Sequence, residues 1–132
     1  MYPIGEMLTT IMNAQAVNKE SVVLPFSRMK FDIANILKAG SYVAGVEKKK
    51  KKTKKSEQEL IAINLKYDEY GPAINGVKLI SRPSRRMYIK ASQIRPIRSG
   101  YGVLIISTPK GVMNSKEAKK QKLGGEMLFE VW

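Results

Sequence analysis

The sequence predicts an α+β chain. Its N-terminal part is an α/β subdomain, two helices packed on a small sheet, and its C-terminal part is a mostly β subdomain with one short helix. Three observations predict this. Apolar residues recur at helical spacing twice before Gly40. Short β-branched or alternating runs recur from Ser21 to the end. Asp, Glu, Gly, Pro and Asn crowd into Tyr67–Gly76, between the two halves. A chain of 132 residues is one domain, or two small subdomains sharing an interface. The boundaries that follow are 1–68, a linker at 69–76, and 77–132.

Each element has a local reason. Ile4, Met7, Leu8 and Ile11 lie on one helical face, and Pro3 suits a first helical position, so a helix is expected from Pro3 to about Val17. Ser21–Leu24 is a short strand stopped by Pro25. Ser27 caps a second helix with Met29, Ile33, Ile36 and Leu37 on its buried side, and Gly40 is placed to end it. Tyr42–Val46 and Glu59–Lys66 read as strands, the latter with Ile61, Ile63 and Leu65 on one side. Between them, Lys48–Lys55 offers no apolar face and reads as a solvated hairpin extension.

In the second half, Val77–Ser81 and Arg86–Lys90 are short strands joined by Arg82-Pro83-Ser84-Arg85, with Met87 and Ile89 inward. Ser92–Arg98 is irregular, and Ser99–Gly102 turns the chain into a central strand, Val103–Ile106. That strand ends in a small polar turn, Ser107-Thr108-Pro109-Lys110-Gly111. Asn114 and Glu117 have capping-box spacing for a short, lysine-rich helix, which Gly124 and Gly125 break. Glu126 then begins the last strand, opposite Met127, Phe129 and Val131.

The charge narrows the function. The net charge is +13 and it is segregated. Lys78–Lys122 holds 12 of the 24 basic residues and one acid, Glu117, while Lys48–Lys55 holds seven lysines and no acid. A merely solvated surface mixes both signs. Single-sign blocks point to a polyanion, and nucleic acid leads over an anionic membrane because the basic half is patterned as strands rather than as an amphipathic helix. No apolar stretch reaches the length of a membrane span. His and Cys are absent, which removes the commonest general base and the thiolate and imidazole metal ligands. Gly71–Lys78 lacks the ending of a phosphate-binding loop. Glu126 has no evident acid partner, so an enzyme is not expected, and neither a cofactor nor a metal.

Several residues are candidates for contact with RNA. Ser107 and Thr108 have hydroxyls that donate and accept in a tight space, Lys110 attracts phosphate, and Gly111 permits close approach. Gly124 and Gly125 let backbone approach something closely, and Glu126 either accepts from a base amino group or holds the Ser-Thr turn. Arg86, Tyr88 and Lys90 share an outward strand face, and Arg82 and Arg85 flank the preceding turn. An ordinary solvated face fits that strand equally well. Arg28 and Lys30 sit where the helix dipole disfavours cations, which hints at an outside anion. Thr108→Ala is expected to weaken RNA binding by about 1–3 kcal/mol without unfolding the chain.

With these residues in hand, the chain resembles the bacterial-type family of small-subunit ribosomal protein number eight. The strongest pieces are Ile106-Ser107-Thr108, Lys110-Gly111-Val112, Glu117-Ala118 and Leu123-Gly124-Gly125-Glu126, ending in Val131-Trp132. Met7-Leu8-Thr9, Asn13-Ala14, Leu65-Lys66-Tyr67 and Ser81-Arg82-Pro83 add to them. The resemblance implies a structural protein of the small subunit that binds the central domain of its rRNA early in assembly and supports the platform. Ser107 and Thr108 match the family's main contact turn, and Gly124, Gly125 and Glu126 its second contact loop; Asn13 falls in the matching part of the first helix. The implied partners are that rRNA, neighbouring small-subunit proteins and, in many bacteria, the protein's own messenger, which it represses; the implied form is a monomer outside a cytoplasmic ribosome. The start near the family's usual one implies no organelle-targeting extension. The chain departs from the family pattern at Pro109, usually Ser, at Tyr2, usually Asp, at Thr10 and Met12, usually Arg, and at Ser84, usually Gly. Charge lost on the first helix is gained in the lysine run, which thereby becomes a candidate phosphate contact.

Overall fold

The computed structural model describes residues 3–52, 54–94 and 102–132. They form two compact units, Pro3–Ile74 and Asn75–Trp132. The irregular stretch and turn expected over residues 95–101 lie outside the described residues. Among the described residues, no helix is long and apolar enough to cross a membrane.

The first unit holds helix α1 (Pro3–Ala16), strand β1 (Ser21–Pro25), helix α2 (Arg28–Ala39) and strands β2 (Val43–Lys52) and β3 (Glu57–Leu65). The sheet order is β1-β3-β2, antiparallel throughout. Ile4, Met7, Leu8 and Ile11 of α1 are buried, as their spacing predicts, and so are Ile33 and Leu37 of α2 and Ile61, Ile63 and Leu65 of β3. Met29 is an exception to the expected inward face, since it stays exposed in the first turn of α2. Ser27 Oγ accepts from the Lys30 N–H at 3.2 Å, which caps α2. The tract Tyr67–Gly76 contains a minimal pair of strands, β4 (Tyr67–Asp68) and β5 (Gly71–Pro72), and the two units meet in sequence at Ile74 and Asn75.

The second strand is much longer than Tyr42–Val46. It runs through the lysines to Lys52, each of Lys48–Lys52 paired with a residue of β3. Backbone hydrogen bonding needs no apolar side chain, so a run that cannot join a core still extends a ladder. A register shift between Val43 and Gly45 offsets this ladder at its base.

The second unit holds β6 (Val77–Leu79), β7 (Tyr88–Ile89), a 3₁₀ turn (Ala91–Gln93), β8 (Val103–Thr108), β9 (Gly111–Asn114), α3 (Ser115–Lys120) and β10 (Gly125–Val131). Its sheet runs β6-β10-β8-β9, with β7 also on β10. Ile94, Leu104, Ile106 and Ala118 form a buried cluster, with Ile80, Ile89, Met113 and Met127 against it, so α3 covers one face. Both β6 and β7 pair antiparallel with β10, at Phe129–Val131 and at Gly125–Glu126 respectively. They are two halves of one edge strand, interrupted by an excursion. Ser81, fully buried, pins it: its Oγ accepts from the Met87 N–H at 2.9 Å and donates to the Met87 carbonyl at 3.3 Å. Within the excursion, Arg82 and Arg85 exchange backbone hydrogen bonds of 2.9 and 3.0 Å.

Four sequence expectations change here. The tract Gly111–Asn114 is a strand, so the polar turn shrinks to Pro109-Lys110 and both Ser107 and Gly111 lie in paired strands. Leu128 is buried beside Phe129, because a register shift between Met127 and Phe129 breaks strict alternation in the last strand. Asn114 Oδ1 does accept from the Glu117 N–H at 2.8 Å, but the Glu117 carboxylate reaches forward to Gln121 at 2.7 Å rather than back to the cap. Finally, Gly40 caps α2 as expected, but the glycine pair does not end α3, whose C-cap is Gln121. Asn18, Ser41 and Lys122 take the left-handed positions at φ 58°, 64° and 59°. Each is followed by the two backbone bonds of a Schellman end, such as Leu123 N–H to the Ala118 carbonyl at 2.8 Å.

Candidate nucleic-acid interface

In antiparallel sheets, directly opposed residues project from the same face. The registers Tyr88↔Glu126, Glu126↔Ser107 and Ser107↔Val112 therefore lay four side chains in one row across β7, β10, β8 and β9. Neighbours in such a row are about 5 Å apart at Cβ. Alternation along β8 puts the row on the face opposite Leu104 and Ile106, and so opposite α3. Tyr88 is 69% exposed, a ring left in solvent beside a charge pair. The Ser107 hydroxyl makes no side-chain hydrogen bond among the described residues.

Glu126 sits at the centre. Its side chain is 18% exposed, and its Oε2 accepts from Arg86 Nη1 at 3.3 Å. Of its two expected roles, holding the Ser-Thr turn is not what the structure shows: the carboxylate is answered by Arg86, which it fixes beside Tyr88. The turn holds itself. Thr108 is 8% exposed, and its Oγ1 donates to the Gly111 carbonyl at 2.7 Å and accepts from the Lys110 N–H at 3.2 Å. The Thr108 hydroxyl thus shapes the hairpin that presents Ser107, and Thr108→Ala would remove both of these internal bonds. Pro109 sets φ for the turn, and Gly111 takes φ 121°, which only glycine adopts readily.

The glycine pair also has internal work. A Cβ on Gly125 would run into the Ser107 carbonyl, with the Ser107 carbonyl carbon at 2.9 Å and Thr108 Cα at 3.1 Å. A Cβ on Gly124 would run into the Ile89 carbonyl, with Lys90 Cα at 3.0 Å. What the backbone approaches closely is this unit's own β8 and the end of β7. The glycines draw Ser107, Glu126, Tyr88 and Lys90 together, a task that their spacing in the sequence does not disclose.

Of the other candidates, Arg82, Arg85, Lys90 and Lys110 are exposed in the same unit. Asn13, Arg28 and Lys30 belong to the first unit. Asn13 is exposed beside a shallow hollow lined also by Thr10 and Lys19. Arg28 Nε lies 3.3 Å from Asp32 one turn on, so its charge has a partner within the helix. Ser81 and Val112 were missed. Ser81 delivers Arg86 and Tyr88 to the sheet after the excursion, and its only sequence signal is a small polar residue just before Arg82-Pro83. Among the described residues, no group of three or more His, Cys, Asp or Glu is placed to hold a metal ion.

Three of the four row residues, Ser107, Val112 and Glu126, lie in pieces of sequence that carry the family resemblance, and comparison with known proteins extends it. Residues 2–132 match the family model described as ribosomal protein S8. The chain belongs to that family. Three proteins named small ribosomal subunit protein uS8 are similar along their whole length. The one from Bdellovibrio bacteriovorus is 44% identical over 133 aligned positions, covering 100% of each chain. The one from Cereibacter sphaeroides is 43% identical over 130, covering 98% of each. The one from Syntrophus aciditrophicus is 40% identical over 131, covering 98% of this chain and 96% of its own. The S8 family thus spans both units, the lysine hairpin included.

Proposed function

We propose that this chain is a structural component of the small ribosomal subunit that binds the central domain of small-subunit rRNA and supports assembly of the platform. The observation that carries the proposal is the row Tyr88–Glu126–Ser107, assembled by obligatory glycines in a unit that also exposes Arg82, Arg85, Lys90 and Lys110. Each part has a use against RNA. The Tyr88 ring can stack on an unpaired base or lie against a ribose. The Ser107 hydroxyl both donates and accepts, which suits a base edge or a 2′-hydroxyl. The exposed cations meet phosphates and make the binding salt-dependent. Glu126 acts as a positioning residue through Arg86.

Full-length kinship with proteins named for the small subunit supports the same reading, with rRNA and neighbouring subunit proteins as partners and the ribosome as its place. A filter-binding titration at near-physiological salt tests it, comparing a central-domain rRNA fragment, the chain's own messenger leader and an unrelated folded RNA of equal length. Preference for the rRNA fragment over the unrelated RNA by about 10³-fold or more is expected of specific recognition. Equal affinity for all three would remove the proposal, and a preference for the messenger leader alone would make repression the main function.

A further inference from the structure

The β2–β3 ladder sorts the lysine run into two groups. Lys48 Nζ lies 3.5 Å from Glu59 and 4.5 Å from the centre of the Phe26 ring. Lys49 Nζ is 3.8 Å from Glu47, and Lys50 Nζ is 4.0 Å from Glu57. Each inner lysine is met by an acid. Further out, Lys51 faces Gln58, and Lys52 faces Glu57, which Lys50 already engages. Lys51, Lys52, Lys54 and Lys55 are all exposed and have no ion pair among the described residues.

The pairing decides where the field is. Exposed ion pairs stabilise a fold little, but an acid beside a lysine cancels its field on the scale of a phosphate. The base of the hairpin is therefore close to neutral and its outer end is strongly cationic. That end is also two-sided, because successive strand residues such as Lys51 and Lys52 point to opposite faces. It carries no apolar side chain from Lys51 to Gln58. A flat anionic membrane engages one face and favours apolar insertion. A two-sided cationic ribbon with nothing to insert matches a cleft walled on both sides by phosphates, which folded RNA provides.

We propose that the outer end of this hairpin is a second RNA contact, in which Lys51, Lys52, Lys54 and Lys55 neutralise phosphates while Lys48, Lys49 and Lys50 only shape its base. The proposal rests on the RNA-binding reading above and adds a site in the first unit.

The test is the salt dependence of binding between the full chain and a central-domain rRNA fragment. Three proteins are compared: wild type, an outer variant with Lys51, Lys52, Lys54 and Lys55→Gln, and an inner variant with Lys48, Lys49 and Lys50→Gln. Each phosphate contact given up flattens the log–log slope by about 0.7–0.9, so the outer variant should flatten it by up to about 3.6. The inner variant should change it by less than one contact. An outer variant with the wild-type slope overturns the hairpin site while wild-type binding leaves the rRNA reading standing. Equal flattening by both variants overturns the sorting of the lysines. Wild-type protein that does not bind the fragment overturns both readings. Phosphatidylserine vesicles form a further arm: binding lost only in the outer variant, with an unchanged RNA slope, would assign the hairpin to a membrane and overturn the proposal.

Discussion

In the β2–β3 hairpin, five consecutive lysines lie on a regular ladder, all exposed. In the row across β7, β10, β8 and β9, a ring, a carboxylate and a hydroxyl are held where glycines leave no room for a Cβ, with Arg86 against the carboxylate. Both regions can meet a polyanion, by different physics. The hairpin offers charge at a distance, which many sequences would supply. The row offers position, and position depends on backbone contacts that a single methyl group would break. Charge can be redistributed along a ladder at little cost in stability, whereas geometry made by close packing cannot.

The largest expected effect separates the two by one atom. Gly125→Ala places a methyl against the Ser107 carbonyl and should destabilise the chain by about 3 kcal/mol, the upper range for overpacking. Gly45→Ala, in the hairpin, meets only the end of the flexible Asn64 side chain at 3.3 Å and should cost less than about 1 kcal/mol. Thermal melts of the two variants check this, and similar shifts would erase the distinction.

Next come the two hydroxyls of the turn. Thr108→Val leaves the Lys110 N–H and the Gly111 carbonyl without their partner and should cost about 2 kcal/mol of folding stability. Ser107→Ala removes no side-chain hydrogen bond among the described residues and should stay within about 0.5 kcal/mol. Urea denaturation distinguishes them; the reverse order would mean that Ser107, not Thr108, holds the hairpin.

Outside both regions, Lys122→Gly should raise stability by about 1 kcal/mol, because lysine sits there at φ 59° in a Schellman end that glycine fits better. A loss of stability on that substitution would show that the lysine side chain has a contact outweighing its backbone cost. The smallest effect belongs to Glu126→Gln. The Arg86–Glu126 pair is partly exposed, and breaking it should cost only about 0.5 kcal/mol of stability. A cost above about 2 kcal/mol would make the pair part of the fold rather than a device for placing Arg86.

Much of the fold was legible because periodicity reports burial. Ile4, Met7, Leu8 and Ile11 announced α1, Ile61, Ile63 and Leu65 announced β3, and Ser27 and Asn114 announced two helix starts. What stayed hidden depends on contacts between distant residues. Strand β9 has no alternating apolar signature, and only pairing with β8 makes Gly111–Asn114 a strand. The bulge that buries Leu128 beside Phe129 has no local mark. Ser81 reads as one more polar residue until its hydroxyl is seen closing the excursion between β6 and β7. At the candidate site the residue types were legible, but the internal tasks of Thr108 and the glycines, shown by hydrogen bonds and close approaches, were not. Ser107 and Tyr88 keep their outward aspect.

The most direct test of the central claim is the affinity of a Tyr88→Ala, Ser107→Ala double variant for a central-domain rRNA fragment at near-physiological salt, with its melting curve alongside. A wild-type melt with binding weakened about 30-fold or more is expected from losing one stacked base and one polar contact. A wild-type melt with wild-type affinity would show that the row does not touch the RNA.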